Sequence, residues 1–545
     1  MKKILFPCFL AFIAAGCGSD SSTSADVEDT AVHDSAADAA MPDIAQEDSG
    51  TDAEEVAGSD LVQADTTEPE PQLPFEFKRK VKGDAIPDEE ITAFTKNVTA
   101  MWKKVDWFRW VLRTSTGVDP STGTRDYLSW HNDVRAVKAG DLVTFKQKGG
   151  EHNMWIPSSK VLSEALNGCV LTGDWTICKV AEQYCKGLSA TVVGFRWGEE
   201  DPAPYLMARA IFPMDQDFTL DEEVWKDDGR RKVVEFSHAY VVEDNWNAHS
   251  FAWPNNPTYG SIWVTNMRSK DDVCAISRTT AFLPYAVENA PYDWVKDACQ
   301  ETLDIMVGFH KDIVDHDYNI RTKDPDGSAR LVTEQDLGSY MTYISIDERN
   351  ECAARIAADY IAYSEHKTND CGDAFGTIFD QYSTSIHYYN YPIVWNYHMA
   401  AIATAINSED YEVAKELLGG LAKRMDTYLS PTTKEPGAEH QDWGKDMAVL
   451  LVQAAAVGLP LNNNEARHIQ KYWSFAASEL AAWDKWDLWA PSVPDGEYNV
   501  RPGASPDGID VEAVTMFLEY CNSPYKNPAS ARFVDCDVVR DVANW

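Results

Sequence analysis

The sequence predicts a mainly α protein: an α/α barrel of helical hairpins with a β-strand insertion around residues 200–268. Three observations predict it. Apolar residues recur at helical spacing over 87–115, over 158–196, and from 269 nearly to the end. Between about 200 and 268 the pattern shortens to strand-like runs broken by turn residues. The joints between helical segments are short and rich in Gly, Pro, Asn and Asp, which favours antiparallel neighbours. About a dozen helices result, enough for a closed arrangement of hairpins.

Each element follows in order. PDEEITAF opens the first helix with acids at its positive end. AGDLVTFKQKGG is a short strand between glycines, and residues 158–196 are two helices around LTGDW. PYLMARAIFP, RRKVVEFSHAYVV and GSIWVTNM are strands, with WPNNPTYG a turn between them. RSKDDV returns the chain to helix, with Ser269 and Asp272 spaced as a capping box. Helical stripes then run through DWVKDACQETLDIMVGFHKDIVDH, RNECAARIAADYIAYSEH, PIVWNYHMAAIATAINS, DYEVAKELLGGLAKRMDTYL, KDMAVLLVQAAAVG, NEARHIQKYWSFAASELAAW and DVEAVTMFLEYC. Pro392 is tolerated only in a first turn, so its helix is expected to start near Asn390 or Tyr391 and run to Ile406. Asp442 is the expected N-cap of the helix after GAEHQ.

The N-terminal part is different material. MKKILFPCFLAFIAAGC has a basic start and an apolar run too short to span a membrane. Ala14-Ala15-Gly16-Cys17 resembles the lipobox of bacterial lipoproteins, with Ala14 where Leu is usual. The resemblance implies removal of residues 1–17 as a signal peptide, lipidation of Cys17, and a membrane anchor. In a Gram-negative cell, Gly18 in place of Asp implies the outer membrane or the cell surface. Residues 18–75 form an acidic tether: positions 18–70 hold sixteen Asp or Glu, no Lys or Arg, and no aromatic residue. Such a segment buries too little to offset its ordering entropy. Residues 76–545 are the body.

The formal charge of −39 is shared between tether and body, and the body stays acidic. That excludes nucleic acid as a natural partner. The nine cysteines beyond Cys17 suit local disulfides in an oxidising compartment. Proximity suggests Cys274–Cys299, Cys352–Cys371, Cys521–Cys536 and two of Cys169, Cys178 and Cys185. No cofactor motif or metalloprotease motif is present, so no cofactor is expected. Asp315, Asp317, Asn319 and Asp326 have calcium-loop spacing, but Ile320 stands where Gly is required and Asp326 where a bidentate Glu is usual. No metal site is expected.

The pattern from RSKDDV through DIVDHDYNI resembles segments of six-hairpin α/α-toroid proteins, many of which are glycoside hydrolases or polysaccharide lyases. The resemblance is architectural, and no catalytic motif of any of those families is intact. It implies that loops at one end of the barrel form a cleft. Three loops carry suitable chemistry. HYYNYPIVWNYHM puts His387, Tyr388 and Tyr389 just before a helix, able to stack on a sugar face and supply a base, while His398 reads as packing. FSHAYVVEDNWNAHSFAWPNNPTYGSIWVTNMR brings Trp246, Asn247, His249, Trp253, Asn266 and Arg268 into one Trp-rich stretch. Its other reading is a decorated β-hairpin with core tryptophans. GAEHQDWGKD places His440 at a helix start. His249, His387, Tyr389, His440 and Arg268 are the expected catalytic residues; Trp246, Asn247, Trp253, Asn266 and Tyr388 are the expected substrate contacts. The expected function is a cell-surface lipoprotein acting on an extracellular polysaccharide by hydrolysis or elimination. The alternative is a non-catalytic glycan-binding or envelope structural protein.

Overall fold

The computed structural model describes residues 73–105, 107–108, 111, 133–140, 142–149, 155–208, 210–213, 233–234, 241–242, 251–256, 258–265, 270–323, 327–331, 346, 351–365, 390–428, 441–482, 491–500 and 512–541. These residues are mainly helical. The helices are α1 (Asp88–Val105), α2 (Trp155–Thr172), α3 (Trp175–Val193), α4 (Lys270–Asn289), α5 (Asp293–Val314) and α6 (Glu351–Tyr363). They continue as α7 (Asn390–Asn407), α8 (Tyr411–Tyr428), α9 (Gln441–Ala456), α10 (Asn463–Ala482), α11 (Glu512–Asn522) and α12 (Cys536–Arg540). The start of α7 at Asn390 agrees with the placement of Pro392 in a first turn. Helix α9 starts at Gln441, so Asp442 lies inside its first turn and is not the residue before it.

Local chemistry explains the joints. Gly173 has φ +67° and turns the chain between α2 and α3. Asp174 then caps α3 by accepting the Ile177 N–H at 3.0 Å. Asn462 and Glu465 form a reciprocal capping box at α10, with bonds of 3.1 and 2.8 Å. Glu465 also receives Arg79, which donates to Asp426 as well, so residues near 79 are stapled to α8 and α10. Ser269, the expected capping-box partner of Asp272, lies outside the described residues. The Asp272 carboxylate accepts the first N–H of α2, from Trp155 at 3.1 Å, so it serves the start of a different helix from its own.

The packing neighbours close a circuit. Helix α2 packs on α4, α4 on α7, α7 on α9, α9 on α11, and α11 on α2. Helices α3, α5, α8 and α10 pack on α2, α4, α7 and α9, each on the helix before it in the chain, and α6 packs on α7. The circuit helices run the same way. Trp155 meets Asp272 near the starts of α2 and α4, and Ser159 O accepts the Thr279 hydroxyl further along both. Asn396 meets Cys274 early in α7 and α4, and Asn407 meets Ala281 O further along. Ser523, just past α11, donates to Ala456 O, the last residue of α9. Asn522 donates to Asn167 in the later parts of α11 and α2. Trp155, Trp395 and Trp473 are among the largest fully buried side chains of this core. His398 is 1 % exposed, as the packing reading expects.

The described strands are β1 (Asp133–Ala139), β2 (Leu142–Gly149), β3 (Ala210–Pro213), β4 (Val233–Val234), β5 (Val241–Val242), β6 (Phe251–Asn256), β7 (Gly260–Thr265), β8 (Arg321–Lys323), β9 (Ala329–Leu331) and β10 (Gly496–Val500). They pair antiparallel in the orders β10-β1-β2, β3-β7-β6, β4-β5 and β8-β9. The expected WPNNPTYG turn is corrected: Trp253–Asn256 belong to β6, and only the segment around Thr258 and Tyr259 turns. The strand is an edge, where Pro254 removes no interior ladder bond, and its register shifts between Trp253 and Asn256. The Asn256 side chain accepts both the Thr258 and Tyr259 N–H groups and donates to Gly194 O, tying the hairpin to the end of α3.

Cys169–Cys178 and Cys521–Cys536 are disulfides, as expected. Cys352 is also disulfide-bonded, while Cys371 lies outside the described residues. The expected Cys274–Cys299 bond is not formed. Cys274 on α4 meets the Asn396 amide of α7, whereas Cys299 on α5 faces α3. Closeness in sequence carries no information about which face of each helix a thiol occupies.

Candidate functional site

Most of the sequence-predicted site residues lie outside the described residues: Trp246, Asn247, His249, Asn266, Arg268, His387, Tyr388, Tyr389 and His440. Trp253 is described in its backbone, which pairs with Ile262 in β6. Their place in the chain is nevertheless informative. Tyr389 is bonded to Asn390, the first residue of α7, and His440 to Gln441, the first residue of α9. Arg268 stands two residues before Lys270, the first residue of α4. Candidate residues thus precede the starts of three of the five circuit helices by one or two positions, and those helices run in the same direction.

The described interior of the circuit carries charge. Arg278 of α4 donates to Glu519 of α11, with both side chains almost wholly buried. Among the described residues, the Arg278 Nε and Glu519 Oε1 have no hydrogen-bond partner. Sequence reasoning passed over this pair, although each charge interrupts an apolar stretch, in CAISRTTAF and TMFLEYC. Such an interruption is the available signal for a buried polar contact.

On the outer side of α4, His310 of α5 is fully buried. Its Nδ1 lies 2.8 Å from Met306 O and its Nε2 lies 2.9 Å from the Ser277 hydroxyl. A neutral ring fits this, with Nδ1–H donating to the carbonyl and Nε2 an acceptor that shares the one Ser277 hydroxyl hydrogen with Val273 O, 2.8 Å from the same hydroxyl. Burial pushes the pKa down from 6.5 to about 4, against the upward pull of the Met306 carbonyl. A depressed histidine pKa means the unfolded chain binds more protons between those values, so stability falls as pH drops from 6.5 toward 4. The expected loss is about 3 kcal/mol across that window. Denaturant midpoints measured against pH should show it, and His310→Gln should flatten that part of the profile.

A second feature is an open groove of ≈ 450 Å³ lined by Arg196, Tyr205, Asp297, Gln300, Glu301 and Asp304. The Tyr205 ring lies against Gly308 of α5, where an added Cβ would come within 2.4 Å of it. The Arg196 guanidinium sits 5.0 Å from that ring centre and its Nε donates to Pro204 O at 2.7 Å. Lys323 fixes the backbone of this segment from below. It is fully buried and donates to Phe195 O, Ala203 O and Asp201. Burial acts to raise the Asp201 pKa, but Lys323 and the Trp197 and Ala203 N–H groups overrule it and hold the carboxyl below its ordinary 3.8. An exposed ring beside carboxylates, an amide and a guanidinium can stack on a sugar face and bond its hydroxyls. Asp297, Glu301 and Asp304 recur at helical spacing, so the sequence alone reads them as the solvated stripe of α5.

Among the described residues no cluster of His, Cys, Asp or Glu is arranged to hold a metal ion, and no helix is long and apolar enough to cross a membrane. Asp315 of the calcium-like spacing is the C-cap of α5 and accepts the Tyr363 hydroxyl. No family model, no curated protein and no solved structure matches this chain.

Proposed function

We propose that this chain is a lipid-anchored envelope protein whose body is an α/α toroid acting on an extracellular polysaccharide. The supporting observation is the circuit of like-directed helices α2, α4, α7, α9 and α11, with candidate residues bonded at or near the starts of α4, α7 and α9. In a closed ring of parallel inner helices, the segments preceding them gather at one end. His387, His440 and Arg268 would then face one cleft with the Tyr388 and Tyr389 rings. A histidine there takes or gives the proton, and Arg268 neutralises an acidic sugar or the charge that develops on it.

The test is turnover by the full exported chain on a panel of neutral and acidic polysaccharides. New reducing ends without ultraviolet absorbance would mean hydrolysis; both signals together would mean elimination. His387→Ala or His440→Ala should lower the rate by about 10²–10⁴-fold. Absence of both signals on every glycan would remove the catalytic reading.

The Tyr205 groove favours a second reading, non-catalytic glycan capture. In that case Tyr205→Ala weakens retention on an immobilised polysaccharide and no turnover is found.

A further inference from the structure

We infer that Cys185 and Cys299 are joined as a further disulfide in the exported protein, a covalent link between α3 and α5. Their sulfur atoms lie 3.7 Å apart, and both residues are fully buried. Bond formation needs roughly 2 Å of sulfur travel. The surrounding backbone is already fixed. Thr302 donates to the carbonyls of Cys185 and Ala298, and its hydroxyl lies 2.9 Å from that of Ser189. The two helices pack directly on each other. The chain carries other disulfides, Cys169–Cys178 and Cys521–Cys536, so it matures where thiols are oxidised.

The bond has to form while the chain is still open. In the folded protein no oxidant reaches the pair, and burial pushes the Cys185 thiol well up, away from the reactive thiolate. The oxidant is a protein or small-molecule disulfide of the exporting compartment. One cysteine thiolate attacks a sulfur of that disulfide, forming a mixed disulfide and releasing the donor's first thiol. The second cysteine thiolate then attacks its partner's sulfur and displaces the donor's second thiol. The pair loses two protons and two electrons, and the donor is left as a dithiol. Cys274, held by the Asn396 amide on another face of α4, stays reduced.

The inference rests on the exported reading, and the experiment separates the two. The full chain is exported through its own N-terminal segment, denatured in a thiol-blocking reagent without reductant, digested, and mapped by mass spectrometry. The expected result is a linked pair of peptides carrying Cys185 and Cys299, with Cys274 blocked. Blocked Cys185 and Cys299 beside intact Cys169–Cys178 and Cys521–Cys536 links would overturn the inference and leave the exported reading standing. Blocking at every cysteine would overturn both. A second measurement uses the Cys185→Ala/Cys299→Ala double variant. Reduction should lower the melting temperature of the parent more than that of the variant, and equal shifts would count against the bond.

Discussion

Replacing Lys323 with methionine is expected to cost about 3–5 kcal/mol, because it removes one partner of a buried ion pair. Methionine fills the space of the stem but donates nothing. The Phe195 and Ala203 carbonyls lose a donor, and among the described residues Asp201 keeps the Trp197 and Ala203 N–H groups. The pH dependence should also weaken. In the parent, the depressed Asp201 pKa contributes stability above the unfolded value of 3.8, lost as pH falls. In the variant the lowering by Lys323 is gone and burial is opposed by the Trp197 and Ala203 N–H groups without it, so less stability is lost as pH falls. The deficit measured by chemical denaturation should therefore shrink on acidification. A deficit under about 1 kcal/mol at neutral pH, the range of an exposed pair, would contradict the burial of this contact. Because Lys323 supports the segment bearing Arg196 and Tyr205, groove binding should weaken in parallel.

The second large effect concerns Arg278 and Glu519. Arg278→Leu alone, or Glu519→Leu alone, should destabilise by about 3–5 kcal/mol, since each leaves an uncompensated charge between helices. The double leucine variant should recover most of that loss. The pair leaves Arg278 Nε and Glu519 Oε1 without hydrogen-bond partners among the described residues, so its attraction is offset by incomplete satisfaction. A double-mutant cycle checks this, with a coupling energy of several kcal/mol expected. If the double variant falls as far as the sum of the singles, the two side chains do not depend on each other.

Several features were readable before any coordinates. Helix positions followed from apolar period and punctuation: Pro392 set the start of α7, and LTGDW set the joint between α2 and α3. His398 read as core because Val394 and Ala401 share its face of an apolar helix. Cys521–Cys536 and a bond within the Cys169–Cys178–Cys185 group followed from short separations. Where local signals compete with distant ones, reading failed. WPNN has turn composition, yet pairing with β7 draws it into an edge strand. The spacing of Asp272 also gives no sign of the bond that its carboxylate makes to α2, more than a hundred positions away.

The sequence by itself determined the helical class, the punctuation, the acidic tether composition and the cysteine inventory, because those depend on nearest neighbours along the chain and on totals. Only the tertiary structure decided the circuit of like-directed helices, the closeness of Cys299 to Cys185 and not to Cys274, the Lys323–Asp201 and Arg278–Glu519 contacts, and the groove on α5. Each joins groups far apart in sequence. Period tells which face of a helix is apolar, but not which helix will cover it, so a buried charge's partner is fixed only when the packing is.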